Sequence, residues 1–86
     1  MNENEILQSL EKLYADLDIE IRYEKGDFLG GLFRYRDQKM AIINRDLNSA
    51  QKINILAREL QGKIDLEKMY LVPVLREVIE NASRME

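Results

Sequence analysis

The chain has 86 residues, 45% hydrophobic and 34% charged, with a net charge of −3, enough for a single domain over 1–86 and not for two cores. It contains neither His nor Cys, which excludes disulfides, the usual zinc ligands, and nucleophile–base pairs of the Ser-His or Cys-His kind. No apolar run approaches the roughly 20 residues that span a bilayer, and the acidic opening stretch lacks the basic and apolar regions of a signal peptide, so a cytoplasmic protein with no cofactor, metal or membrane partner is expected.

The first predicted element is a helix. Ile6, Leu7, Leu10, Leu13, Tyr14 and Leu17 fall on one stripe of a 3.6-residue period, and Asn2 with Glu5 three residues on forms a capping box. The period then becomes 2: Ile19, Ile21 and Tyr23 alternate with Glu20, Arg22 and Glu24, a half-buried strand. "EKGD" is a turn in which Gly26 can take positive φ. "FLGGLFRYR" is a second strand, where Gly30 and Gly31 mark a bulge or a close backbone approach. "RDQK" turns the chain again and "MAIIN" is a short, mostly buried third strand, so an antiparallel three-stranded meander is the simplest connection.

Asn48, with Gln51 three residues later, caps a second helix whose stripe is Ile53, Leu56, Ala57, Leu60 and Ile64, with Gly62 at its C-terminal stop. Asp65 caps the following turn "LEKMYL". Pro73 suits the first turn of a third helix, with Val74, Leu75, Val78, Ile79 and Ala82 as its buried stripe. The order is α-β-β-β-α-α, an α+β domain with a three-stranded antiparallel sheet and helices packed on one face.

Charge is unevenly spread: residues 1–21 carry a net −5, residues 22–58 a net +4 and the remainder a net −2. The middle third is therefore the face for any anionic partner. Its candidate binding residues are Gly30, Gly31, Arg34, Arg36, Arg45 and Arg58. The glycines leave room for another backbone, while Arg34 and Arg36 alternate with Phe33 and Tyr35 to offer guanidinium forks to carboxylate or phosphate. The plainer reading is a bulged strand with solvated arginines. Asp16, Asp18 and Glu20 have calcium-loop spacing, but Ile21 and Asp27 stand where Gly and Glu are needed.

The run "MAIINRDLNSAQKINILARELQG" resembles the small zincin peptidases of bacterial immunity and anti-repressor proteins, in which a strand ending in aliphatic-Asn leads into a helix carrying Leu-Ala-His-Glu-Leu-Gly-His. The matching residues are Ile42, Ile43 and Asn44, then Leu56, Ala57, Glu59 and Leu60, and the likeness covers residues 4–62. The two metal histidines fall on Arg58 and Gly62, neither of which can coordinate zinc, and Glu59 keeps the catalytic glutamate's place without a metal-bound water to act on. The resemblance thus implies a degenerate, metal-free zincin-like scaffold. Leu-Ala-x-Glu-Leu is also simply good helix sequence, in which Arg58 and Glu59 are exposed charges and Glu59 pairs with Lys63 at i+4.

The topology is also similar to a double-stranded RNA-binding domain, yet only Lys52 stands where that family carries a basic cluster, and the first helix is acidic. The pattern as a whole is similar to short bacterial proteins, a likeness that brings no function with it. The expectation is a non-catalytic domain that binds a protein partner or forms a homodimer; nucleic-acid binding through the basic middle third is the alternative.

Overall fold

A computed structural model of the protein describes residues 2–61, 63 and 71–82. Its elements are α1 (Glu3–Asp16), β1 (Glu20–Glu24), β2 (Gly30–Tyr35), β3 (Gln38–Asn44), α2 (Ser49–Leu60) and α3 (Pro73–Glu80). The fold is α+β in the expected order. Both expected capping boxes form: the Glu5 N–H donates to Asn2 Oδ1 (2.9 Å) and the Gln51 N–H to Asn48 Oδ1 (2.8 Å). At its other end α1 closes in a 6→1 and 5→2 pair, Ile19 N–H to Tyr14 O and Asp18 N–H to Ala15 O. This puts Asp18 in the left-handed region at φ 62°.

The sheet corrects the antiparallel meander. Its strand order is β1-β3-β2, with β1 parallel and β2 antiparallel to β3. The centre goes to the strand with the most apolar surface on both faces: Ala41 and Ile43 are buried on one side, and Met40 and Ile42 are half-buried on the other. β2, whose exposed Phe33, Arg34 and Tyr35 suit an edge, takes the flank. Residues 25–29 therefore cross the end of β3. There Asn44 Nδ2 donates to the carbonyls of Gly26 (2.9 Å) and Phe28 (2.8 Å), and Asn44 Oδ1 accepts from the Asp46 N–H (3.0 Å). The Asn44 and Arg45 N–H groups reach Leu29 O and Glu24 O, so one strand end ties down both flanks.

Three smaller expectations also change. β2 pairs with β3 in unbroken register from Gly30↔Ile43 to Tyr35↔Gln38, so there is no bulge. Among the described residues, Gly30 is the glycine at positive φ; Gly26 is not, and instead leaves space for the Phe28 ring. The two-residue β2–β3 turn takes its positive φ at Arg36 (59°).

α1 and α2 cover the sheet face that carries Ala41 and Ile43, and α3 packs on α2 and α1 and not on the strands. Ile55, Leu56 and Ala57 are all buried. Three consecutive residues at about 100° each span some 200° of a helix, so α2 is enclosed by α1, the sheet and α3. Its C-cap residue Gln61 stops α3 as well, donating to Ile79 O (2.8 Å) and Ala82 O (3.0 Å). On α3, Leu75 and Ile79 are buried but Val74 is 40% exposed, because among the described elements only α1 and α2 pack on this two-turn helix. Ile64, Gly62, Asp65 and "LEKMYL" lie outside the described residues.

Two tyrosines bridge the layers. Tyr14 of α1 is fully buried and donates to Leu56 O of α2. Tyr23 of β1 donates to Glu11 of α1, and Lys52 of α2 lies 5.1 Å from its ring centre. Both phenols are held protonated well above their ordinary value, each chiefly by burial, with the Glu59 charge adding at Tyr14 and the Glu11 bond at Tyr23.

Asn44→Ala removes three side-chain hydrogen bonds at exposed positions, where water can replace them, and is expected to cost about 1 kcal/mol, a fall of roughly 4–8 °C in melting temperature. Asn44→Asp, which turns an anion toward the same carbonyls, is expected to cost at least as much at neutral pH in chemical denaturation. The tyrosines set the alkaline limit. Because their folded pKa values lie above the unfolded ones, their contribution is intact below pH of about 10 and is lost as pH rises further, by about 1.4 kcal/mol per pH unit for each. Urea unfolding at a series of alkaline pH values should show that slope, and Tyr23→Phe should remove about half of it.

Candidate functional site

The open side of the sheet and the β2 edge meet at a pocket of about 460 Å³ lined by Phe28, Leu29, Gly30, Phe33, Ile42 and Arg58. Each wall has a local cause. Phe28 and Leu29 belong to the crossover that Asn44 pins, rather than to the strand expected to contain them. Phe33 and Ile42 alternate outward from β2 and β3, opposite the core-facing Leu32 and Ala41. Arg58 comes from the last turn of α2, where its charge also suits the helix dipole.

Arg58 and Glu59 are not the exposed charges expected of an ordinary helix surface: their side chains are 19% and 23% exposed. Glu59 Oε1 accepts the Leu32 N–H (3.1 Å), and Oε2 pairs with Lys63 Nζ (3.1 Å), the i+4 contact read from the sequence. A Leu32 N–H aimed at α2 points away from β3. By the alternation of an antiparallel ladder, the main-chain groups of Gly30 and Arg34 then face the edge as well. Glu59 thus caps the middle of a free strand edge, one of the ways proteins block unwanted strand pairing. Arg58 Nη2 is 4.0 Å from Glu59 Oε1, a weak attraction compared with those two bonds.

The two glycines meet different needs. Gly30 sits at φ 144°, and a Cβ there would lie 2.7 Å from Ile42 O and 3.0 Å from Ile43 Cα. Gly31 has ordinary dihedrals, but its Cβ would lie 3.0 Å from Glu59 Oε1. Conformation demands the first; at the second, a methyl group would require the Glu59 carboxylate to shift by a few tenths of an ångström.

Of the residues read as candidates, the structure brings Gly30 and Arg58 into one pocket and Gly31 against Glu59. The remaining arginines stand apart. Arg34 is exposed on the Leu32 side of β2, and Arg36 occupies the hairpin turn 5.4 Å from the Tyr35 ring centre. Arg45 follows β3 at the crossover end, so the length of β3 separates it from Arg36 by about 20 Å. Phe28, Leu29, Phe33 and Ile42 are not singled out by the sequence; for Phe33 the signal is an aromatic on a strand too polar to be central, and for Ile42 it is the second apolar face of β3. Among the described residues, no three acidic side chains gather where they could hold a metal ion, and no helix is long and apolar enough to cross a membrane.

Gly30→Ala is expected to cost about 2 kcal/mol or more, from its dihedral strain together with backbone overlap. Gly31→Ala should cost about 1 kcal/mol in the parent and close to nothing in a Glu59→Ala background, because its cost is the displacement of that carboxylate. Denaturant unfolding of the double-mutant cycle checks this; equal costs in both backgrounds would detach Gly31 from Glu59.

Comparison with family models, with curated proteins and with solved structures finds no match to this chain.

Proposed function

We propose that this is a non-catalytic protein-binding domain whose working surface is the uncovered face of the sheet along β2. The observation that carries the reading is the apolar strip on that face. Phe33 is 53% and Tyr35 65% exposed, and Phe28 and Leu29 continue the strip at 38% and 41%. Monomers seldom leave so many large apolar side chains contiguous in water, and aromatic residues with arginine are the types that carry binding energy at interfaces. The β1 half of the same face bears Glu20, Arg22 and Glu24, including a 3.8 Å Arg22–Glu20 pair, which supplies a polar rim.

The partner is another protein chain, a second copy included. Because Glu59 occupies the middle of the β2 edge, a second copy would pack face to face rather than edge to edge. A degenerate zincin scaffold is compatible with this reading: Glu59 on α2 still faces the edge strand, but its oxygens serve Leu32 and Lys63, and Arg58 stands where a metal ligand would be required. The wide separation of Arg36 and Arg45 lends nothing to a nucleic-acid surface, which needs several cations along one track.

Tyr35→Asp is the test, with Tyr35→Thr as the control that keeps strand propensity. Sedimentation of the pure protein, and side-by-side affinity capture with parent and variant, should show a dimer or complex weakened by Tyr35→Asp by about 2 kcal/mol or more at little change in melting temperature. A parent that stays monomeric and captures nothing the variant fails to capture contradicts the reading.

A further inference from the structure

We propose that the pocket between the crossover, β2 and α2 takes the carboxy-terminal residue of the partner chain, seating an apolar side chain among Phe28, Leu29 and Phe33 and the terminal carboxylate on Arg58. This rests on the protein-binding reading and names the partner's chemistry.

Charge complementarity points to a single carboxylate. Glu59 is already satisfied by the Leu32 N–H and by Lys63, each at 3.1 Å, whereas Arg58 stands 4.0 Å from it. Among the described residues, two cations beside one anion leave one positive charge, and it lies at the wall of a pocket otherwise lined by Phe28, Leu29, Gly30, Phe33 and Ile42. A guanidinium on apolar walls gains most from one planar, bidentate anion; a phosphate or a dicarboxylate would bring excess negative charge toward Glu59.

The backbone adds the second constraint. By the alternation of the ladder, Gly30 presents its main-chain N–H and C=O to the edge. A chain laid parallel to β2 finds Gly30 open, but two residues further on it meets the Glu59 carboxylate on Leu32. It cannot continue along β2 without setting its own carbonyls against that anion. A chain that ends at this point avoids the conflict and leaves its carboxylate beside Arg58. A terminal residue also carries its side chain and carboxylate on one Cα, so a single residue fills both parts of the pocket. At about 460 Å³, the volume lies in the range of pockets that hold such groups.

The probes are the peptide acetyl-Thr-Thr-Val-Phe with a free carboxylate, the same peptide as its carboxamide, and N-acetylphenylalanine, each titrated calorimetrically into the full chain. The free peptide should bind about tenfold or more tighter than the carboxamide, as expected for loss of a charge-assisted hydrogen bond. It should also bind tighter than N-acetylphenylalanine, which has no strand to pair with Gly30. Arg58→Gln should erase the difference between acid and amide. Equal binding of acid and amide overturns the proposal, as does discrimination that survives Arg58→Gln. If N-acetylphenylalanine matches the peptide, the site is one for free acids and the peptide assignment is wrong. Tyr35 lies outside the pocket, which separates the two readings. Loss of protein association in Tyr35→Asp with no binding of any peptide defeats this inference alone; peptide binding with association untouched by Tyr35→Asp defeats the open-face reading alone.

Discussion

The amide of Asn44 does what no local preference could do: it holds a five-residue connection across the end of β3 while the strands on either side run in opposite directions. Its Nδ2 bridges the Gly26 and Phe28 carbonyls, and its own N–H reaches Leu29 O. Without those bonds, the exposed residues 25–29 would turn their polar groups to water, and no side chain would fix their path across the strand end. With them, β3 can occupy the middle of the sheet, β2 is released to the edge, and Phe28 and Leu29 are delivered to the open face as pocket walls. The edge that Glu59 must cap and the strip proposed to meet a partner both follow from that placement.

Glu59 illustrates how one side chain can serve the fold in a position that invites a catalytic reading. Glu59 is the penultimate residue of α2 and faces the β2 edge. Here Oε1 is bonded to the Leu32 N–H and Oε2 to Lys63. The same bonds bear on Gly31, where a methyl group would require Oε1 to shift by a few tenths of an ångström.

What was readable from the sequence divides by range. The capping boxes Asn2–Glu5 and Asn48–Gln51, the α1 stripe and the period change at Ile19 are decided within a few residues, and they appear as read. Strand order depends on a competition between β2 and β3 for the central slot, which turn length alone could not settle. The signal was present in composition, because "MAIIN" is apolar on both faces while "FRYR" is not, and a central strand must satisfy two buried faces. Ile55 was missed because a single stripe was sought in a helix covered from three sides. Phe28 and Leu29 were assigned to a strand when their role is in the crossover. The burial of Arg58 and Glu59 was likewise hidden, because good helix sequence says nothing of what lies beside it.

Strand edges make the final connection between stability and binding. A three-stranded open sheet has two edges, and this chain treats them differently. β1 is lined by Glu20, Arg22 and Glu24, exposed charges that discourage any neighbour. β2 is aromatic and carries two glycines, and it is blocked at Leu32 alone. Complete protection would have placed a charge at Phe33 or Tyr35, and an unprotected edge would have left Leu32 N–H open to indiscriminate pairing. Blocking one position in the middle of β2 while leaving Gly30 and the outward aromatics accessible permits association only in geometries that respect Glu59. An edge guarded in that way resists strand addition at Leu32, while the short stretch next to Arg58 stays open at the pocket.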